Sequence, residues 1–123
     1  MPSPRCWSGV NVLSVLASFS TPGNALCCAA KAASWSLTNV LRLELLGQGT
    51  QVVAVQVGLM DTDMTAGLNA PKSSPDTVAR HVLDAVQAGA LEVLADDASR
   101  RVKAALSGEL QLRVVVVGSR CTR

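Results

Sequence analysis

The chain has 123 residues, 49% of them apolar, and a formal charge of +2 at pH 7, which suits one folded domain and excludes a disordered chain. So small a charge, on scattered arginines without interleaved aromatics, offers nucleic acid no stripe to bind, and no apolar run is long enough to span a membrane. With 2 Trp, 1 Phe and no Tyr, any core has to be built from Val, Leu and Ala.

The elements follow in order. Residues 10–16 (VNVLSVL) read as a short buried strand, rich in branched apolar residues. Thr21-Pro22-Gly23-Asn24 is a turn. Residues 25–46 read as one helix, alanine-rich and free of proline, with Ala33, Leu37, Val40, Leu41 and Leu45 at three- and four-residue spacings. Gly47 and Gly49 stop it. Residues 50–57 (TQVVAVQV) form a second strand, and residues 58–73 a long loop. Ser74-Pro75-Asp76 starts a helix, with a capping serine, a first-turn proline and an acid at the positive end of the dipole. That helix runs to Gly89, with Val78, Val82, Leu83 and Val86 on one face. A third strand at 91–95 and a helix at 96–107 complete the alternation, which implies a parallel sheet with right-handed crossovers. The tail holds an uncharged run, Val114 to Val117, with the signature of an aggregation-prone segment; it is expected to be dispensable.

The four cysteines, Cys6, Cys27, Cys28 and Cys121, form no C-x-x-C pair, and neighbours on a helix cannot close an easy disulfide. With His81 the only histidine, no metal site is expected. Reduced thiols in a cytoplasmic protein are the simplest account. Residues 10–19 behind Arg5 imitate a secretory signal only faintly. Asn11, Ser14 and Ser18 interrupt the run, and Leu26 spoils a lipoprotein reading of Cys27.

Three segments in series resemble the short-chain dehydrogenase/reductase family. Asn11-Val12-Leu13-Ser14-Val15 is similar to the strand that ends at the family's catalytic serine. Cys27-Cys28-Ala29-Ala30-Lys31 is similar to its Tyr-x-x-x-Lys helix, with Cys27 at the tyrosine position. Val57-Gly58-Leu59-Met60-Asp61-Thr62 is similar to its Pro-Gly-x-x-x-Thr loop. The resemblance covers residues 10–107, with 1–9 and 108–123 as unmatched flanks. It implies a three-layer, Rossmann-like α/β fold with a parallel sheet, of which about three strands and three helices, the carboxyl-terminal portion, are present.

The resemblance also implies chemistry. In the family a nicotinamide delivers hydride to a carbonyl while a phenol protonates the developing alkoxide. The lysine lowers the phenol's pKa and holds the nicotinamide ribose, and a four-residue spacing puts both on one helix face. By match, Ser14, Cys27 and Lys31 take the catalytic positions, and Lys31, Gly58 and Thr62 the cofactor-binding ones, for NAD or NADP. The substrate class is a small carbonyl or alcohol, and a homo-oligomer, or association with an intact relative, is expected.

Three departures qualify this. Cys27 is shorter than a phenol, Val57 replaces a proline, and nothing ahead of Ser14 supplies a first strand with its glycine-rich turn. Gly47-Gln48-Gly49 follows a helix and precedes a strand, the reverse of a phosphate-binding fingerprint. The chain is therefore expected to be a truncated oxidoreductase, inactive alone and weak in binding the cofactor. The alternative is a non-catalytic module that docks on an intact relative through the Lys31 helix, using Trp35 and Leu41. A strand left as an open edge also predicts that the isolated chain associates rather than standing as a stable monomer.

Overall fold

The computed structural model describes residues 7–107; the flank through Cys6, the valine run and Cys121 lie outside the described residues. Strand β1 (Ser8–Val12) leads through a 3-10 turn at Val15–Ala17 into helix α1 (Ala25–Glu44). Strand β2 (Gln51–Gln56) follows, then a loop with a 3-10 turn at Asp63–Thr65. Helix α2 (Pro75–Gln87), strand β3 (Glu92–Leu94) and helix α3 (Asp97–Ala105) complete the order. The strands lie side by side as β1-β2-β3, all parallel. Parallel neighbours need a crossover, and each is made by one helix.

The register fixes the two faces. Val10 and Val12 pair with Val53 and Val55, and Asn11 pairs with Ala54. Val53, Val55, Val57, Val93 and Ala95 are buried together with Val78 of α2, and Val82, Ala85 and Val86 pack against them. Full burial of each such valine contributes about 1.5–3 kcal/mol. The opposite face carries α1 and α3. Asn11 donates to Thr38 Oγ1 at 3.0 Å, and Lys103 of α3 reaches Glu92 at 2.7 Å while lying 5.8 Å from the Trp35 ring centroid. β2, covered on both sides, is buried at every residue, as a central parallel strand requires.

Several boundaries move from the sequence reading. The first strand, expected at 10–16, ends at Val12. Leu13 and Val15 still bond the carbonyls of Val55 and Val57 at 2.7 and 3.1 Å, but Ser14 turns the chain into the 3-10 segment by accepting from the Leu16 N–H. Pro22 and Gly23, at φ 86°, make the expected turn, closed by Asn24 N–H to the Thr21 carbonyl. Gly49 sits in the left-handed region at φ 70° and ends the turn that follows α1. Ser74 precedes Pro75 as expected, yet its side chain makes no capping bond.

The largest revision concerns α1. Its buried residues are Cys28 and Thr38, and Trp35 is half-buried. Of the five apolar positions read from spacing, three face outward: Ala33 is exposed, and Leu37 and Val40 are 57% and 46% exposed, while Leu41 and Leu45 are half-buried. Arg42 fastens this helix to the sheet. Its Nε and Nη2 donate to the carbonyls of Val52 and Leu91 at 3.2 and 2.8 Å, the second of which also accepts the Ala54 N–H of β2.

Candidate active site

All five residues singled out by sequence lie around the carboxyl ends of the strands or the first turns of α1. That is where open α/β sheets bind ligands. Ser14 follows β1 by two residues; it is half-buried, and its Oγ accepts from the Leu16 N–H at 3.2 Å. Gly58 follows β2 by the same interval, and the Val15 N–H to Val57 carbonyl bond ties the two strand ends together. Cys27 is exposed in the first turn of α1, and Lys31, one turn on, is half-buried. The side chain aimed like Cys27 across the next turn is thus the lysine's, by helix geometry.

The loop after β2 is closed at its neck. Met60 and Ser73 form a parallel bridge, with Asp61 N–H on the Ser73 carbonyl and Ser73 N–H on the Leu59 carbonyl at 2.9 and 2.8 Å. Inside it, Thr65 is buried; its hydroxyl donates to the Met60 carbonyl and accepts from the Thr62 N–H at 3.2 Å. Thr62 itself begins the 3-10 turn in extended conformation and is exposed.

Asp96 escaped the sequence reading as a site residue. Its Oδ1 accepts from the Ser99 N–H at 2.8 Å, capping α3, while its Oδ2 accepts from the Gly58 N–H at 2.7 Å. Ser73 Oγ lies 3.4 Å from the same oxygen. A Cβ on Gly58 would stand 3.0 Å from Asp96 Oδ2 and 3.1 Å from Ala98 Cβ, so only glycine lets the loop approach α3 so closely. The Asp96-x-x-Ser99 spacing signals a cap, but nothing in it points to Gly58.

An open cavity of about 790 Å³ lies between the 3-10 turn and α1, lined by Leu16, Phe19, Ala25, Cys28, Trp35 and Leu106 among others and by none of the five candidate residues. Trp35, expected at a docking surface, instead lines this hollow. Among the described residues no cluster of three or more His, Cys, Asp or Glu side chains could hold a metal, and no helix is long and apolar enough to cross a membrane.

Residues 8–73, more than half of the chain, match the family model for short chain dehydrogenases. A curated relative, a 3-oxoacyl-[acyl-carrier-protein] reductase of Synechocystis sp., is 37% identical over 89 residues, covering 72% of this chain and 36% of that protein. A short chain dehydrogenase from Burkholderia cenocepacia, solved in complex with NADP, superposes with a TM-score of 0.81 at 30% identity, over 91% of this chain and 48% of its own. A putative short-chain dehydrogenase from Novosphingobium aromaticivorans shares the fold at a TM-score of 0.63 and 18% identity, over 94% of this chain and 38% of its own. The chain thus spans less than half the length of each of these proteins.

Proposed function

The chain belongs to the short-chain dehydrogenase/reductase family, and we propose from that premise that its 123 residues are a carboxyl-terminal portion of an NAD(P)-dependent carbonyl/alcohol oxidoreductase, cytoplasmic and inactive alone. Residues 10–107 are the family body, and 1–9 and 108–123 its flanks. The observation that supports this reading is that Ser14 and Gly58 each stand two residues past the ends of neighbouring parallel strands, which the Val15 N–H to Val57 carbonyl bond ties together.

In this reading Ser14 orients the substrate carbonyl, Lys31 holds the nicotinamide ribose, and Gly58 and Thr62 bring the loop to the carboxamide. The bound nicotinamide supplies or accepts the hydride. A proton for the alkoxide has to come from position 27, and the Cys27 thiol stops several ångströms short of where a phenol would end. The fit to the cofactor is therefore partial: residues for the nicotinamide end are present, while the described residues offer no strand, glycine-rich turn and helix N-terminus in series to receive a pyrophosphate.

The purified chain is expected to show no turnover with NADH or NADPH across a panel of small carbonyls. Its Cys27→Tyr variant is expected to stay inactive too, because a proton donor is useless without a bound hydride source. Turnover by either protein, with contaminating reductases excluded, would overturn the reading.

A second reading is a non-catalytic module that docks on an intact family member through α1. It is favoured by the outward apolar stripe, where Leu26, Leu37, Val40 and Leu43 are 88, 57, 46 and 72% exposed. That stripe replaces the Trp35 and Leu41 pair as the docking surface, since both of those are half-buried.

A further inference from the structure

In a parallel ladder the hydrogen bonds repeat every two residues. The Ala54 N–H bonds the Leu91 carbonyl and the Ala95 N–H bonds the Gln56 carbonyl, so the repeat would hand the Gly58 N–H to the Ala95 carbonyl. The Asp96 carboxylate takes that N–H instead, at 2.7 Å. A side chain thus replaces the ladder where it stops, and the chain beyond β2 is held to α3. The charge on the acceptor makes this bond stronger than a neutral one.

The same carboxylate reaches the other end of the loop. Ser73 Oγ lies 3.4 Å from Asp96 Oδ2, and Ser73 bridges to Met60, with backbone bonds to Leu59 and Asp61. The Met60 carbonyl accepts from the Thr65 hydroxyl, which in turn accepts from the Thr62 N–H. A line of bonds therefore runs from one carboxylate through both ends of the 58–73 loop to Thr62. Helix α3 is fixed to the other side of the site as well. Its Val102 is buried with Val15 and Phe19, in the segment that Ser14 opens.

We propose, resting on the cofactor role given to Thr62 above, that Asp96 is a positioning residue: it pins both ends of the 58–73 loop to the first turn of α3 and so sets where Thr62 stands relative to Ser14. Asp96 touches no cofactor in this scheme; it acts through the loop. Its Oδ1 caps α3 while its Oδ2 holds the loop, so substitution can separate the two duties. Serine caps a helix about as well as aspartate, but its shorter side chain cannot reach Gly58 while it does so. Ser99→Ala does the reverse. It keeps both carboxylate bonds and removes those of the Ser99 hydroxyl to the Asp96 backbone.

Amide hydrogen exchange of the 123-residue chain tests the pinning. In Asp96→Ser the Gly58, Asp61, Thr62 and Ser73 amides are expected to exchange about tenfold or more faster, as the loss of one charged bond implies. The Val53, Val55 and Arg100 amides should stay within about threefold of wild type. In Ser99→Ala the α3 amides should quicken while the loop amides hold. NADP titration of the same variants, within residues 8–107 grafted into the Burkholderia cenocepacia relative, tests the consequence. A loop in place about a tenth of the time raises Kd about tenfold, so Asp96→Ser should bind about tenfold more weakly and Ser99→Ala like its parent.

Loop amides that keep their wild-type rates in Asp96→Ser, or loop, strand and α3 amides that quicken together, would overturn the proposal. So would an unchanged Kd in the folded Asp96→Ser graft. A Gly58 amide that exchanges as fast as a free one in the wild-type chain would overturn it even if a variant fails to fold. A graft that binds no NADP before any substitution would count against the proposed function, and exchange in the chain itself would still decide for or against Asp96.

Discussion

Asp96 joins segments 38 residues apart, and its two oxygens do different work. Asp96→Ala removes a helix cap, at about 1 kcal/mol. It also strands the Gly58 N–H, at about 1–3 kcal/mol. The expected loss of about 2–4 kcal/mol would appear as a lower urea midpoint at fixed protein concentration, with Asp96→Asn intermediate because an amide keeps only one acceptor. Gly58→Ala should destabilise through the same contact, since α3's first turn and a carboxylate bonded twice cannot easily give way. A change within about 0.5 kcal/mol for Asp96→Ala, the range of inert surface substitutions, would show that the contact carries no weight. The positions of Ser14, Lys31 and Thr62 beyond β1, in α1 and in the loop after β2 were legible from serial motifs. Asp96 was legible only as a cap, since its second bond depends on how β2 and β3 lie together.

Helix α1 shows what periodicity does and does not reveal. Its extent was legible to within two residues, from alanine content and the glycines beyond it. Its orientation was not. The helix has one apolar stripe through Leu26, Leu37 and Val40 and another line through Cys28, Trp35 and Thr38. The sheet takes the second, because Thr38 meets Asn11 there and fully buries its hydroxyl in a bond with the Ser34 carbonyl. Side chains of mixed polarity hid that face from a hydrophobicity pattern. The first stripe is exposed among the described residues. If α1 docks on an intact relative, Leu37→Glu combined with Leu43→Glu should abolish co-purification from a native extract, while circular dichroism keeps its helical signal. Unchanged recovery of the relative with the double variant would remove α1 as the docking surface. Strand ends moved for a similar reason: Ser14 hydrogen-bonds its own turn, which no count of branched residues registers.

Across the whole molecule, the parallel α/β architecture followed from alternating strand and helix signals, and the strands lie in sequence order as β1-β2-β3. The cover that Arg100 gives the Leu94 carbonyl did not follow from sequence, because it depends on how α3 lies against β3. These elements are short-chain dehydrogenase elements, and under the proposed function position 27 is where their chemistry fails. A chimera tests it most directly, with residues 8–107 of this chain replacing the corresponding portion of the NADP-bound Burkholderia cenocepacia relative. The folded chimera should bind NADP, and with Cys27 it should turn over that relative's own substrate about a hundred- to ten-thousand-fold more slowly than its Cys27→Tyr form, the usual worth of a general acid. Equal turnover by the two forms, or failure of both folded chimeras to bind NADP, would contradict it.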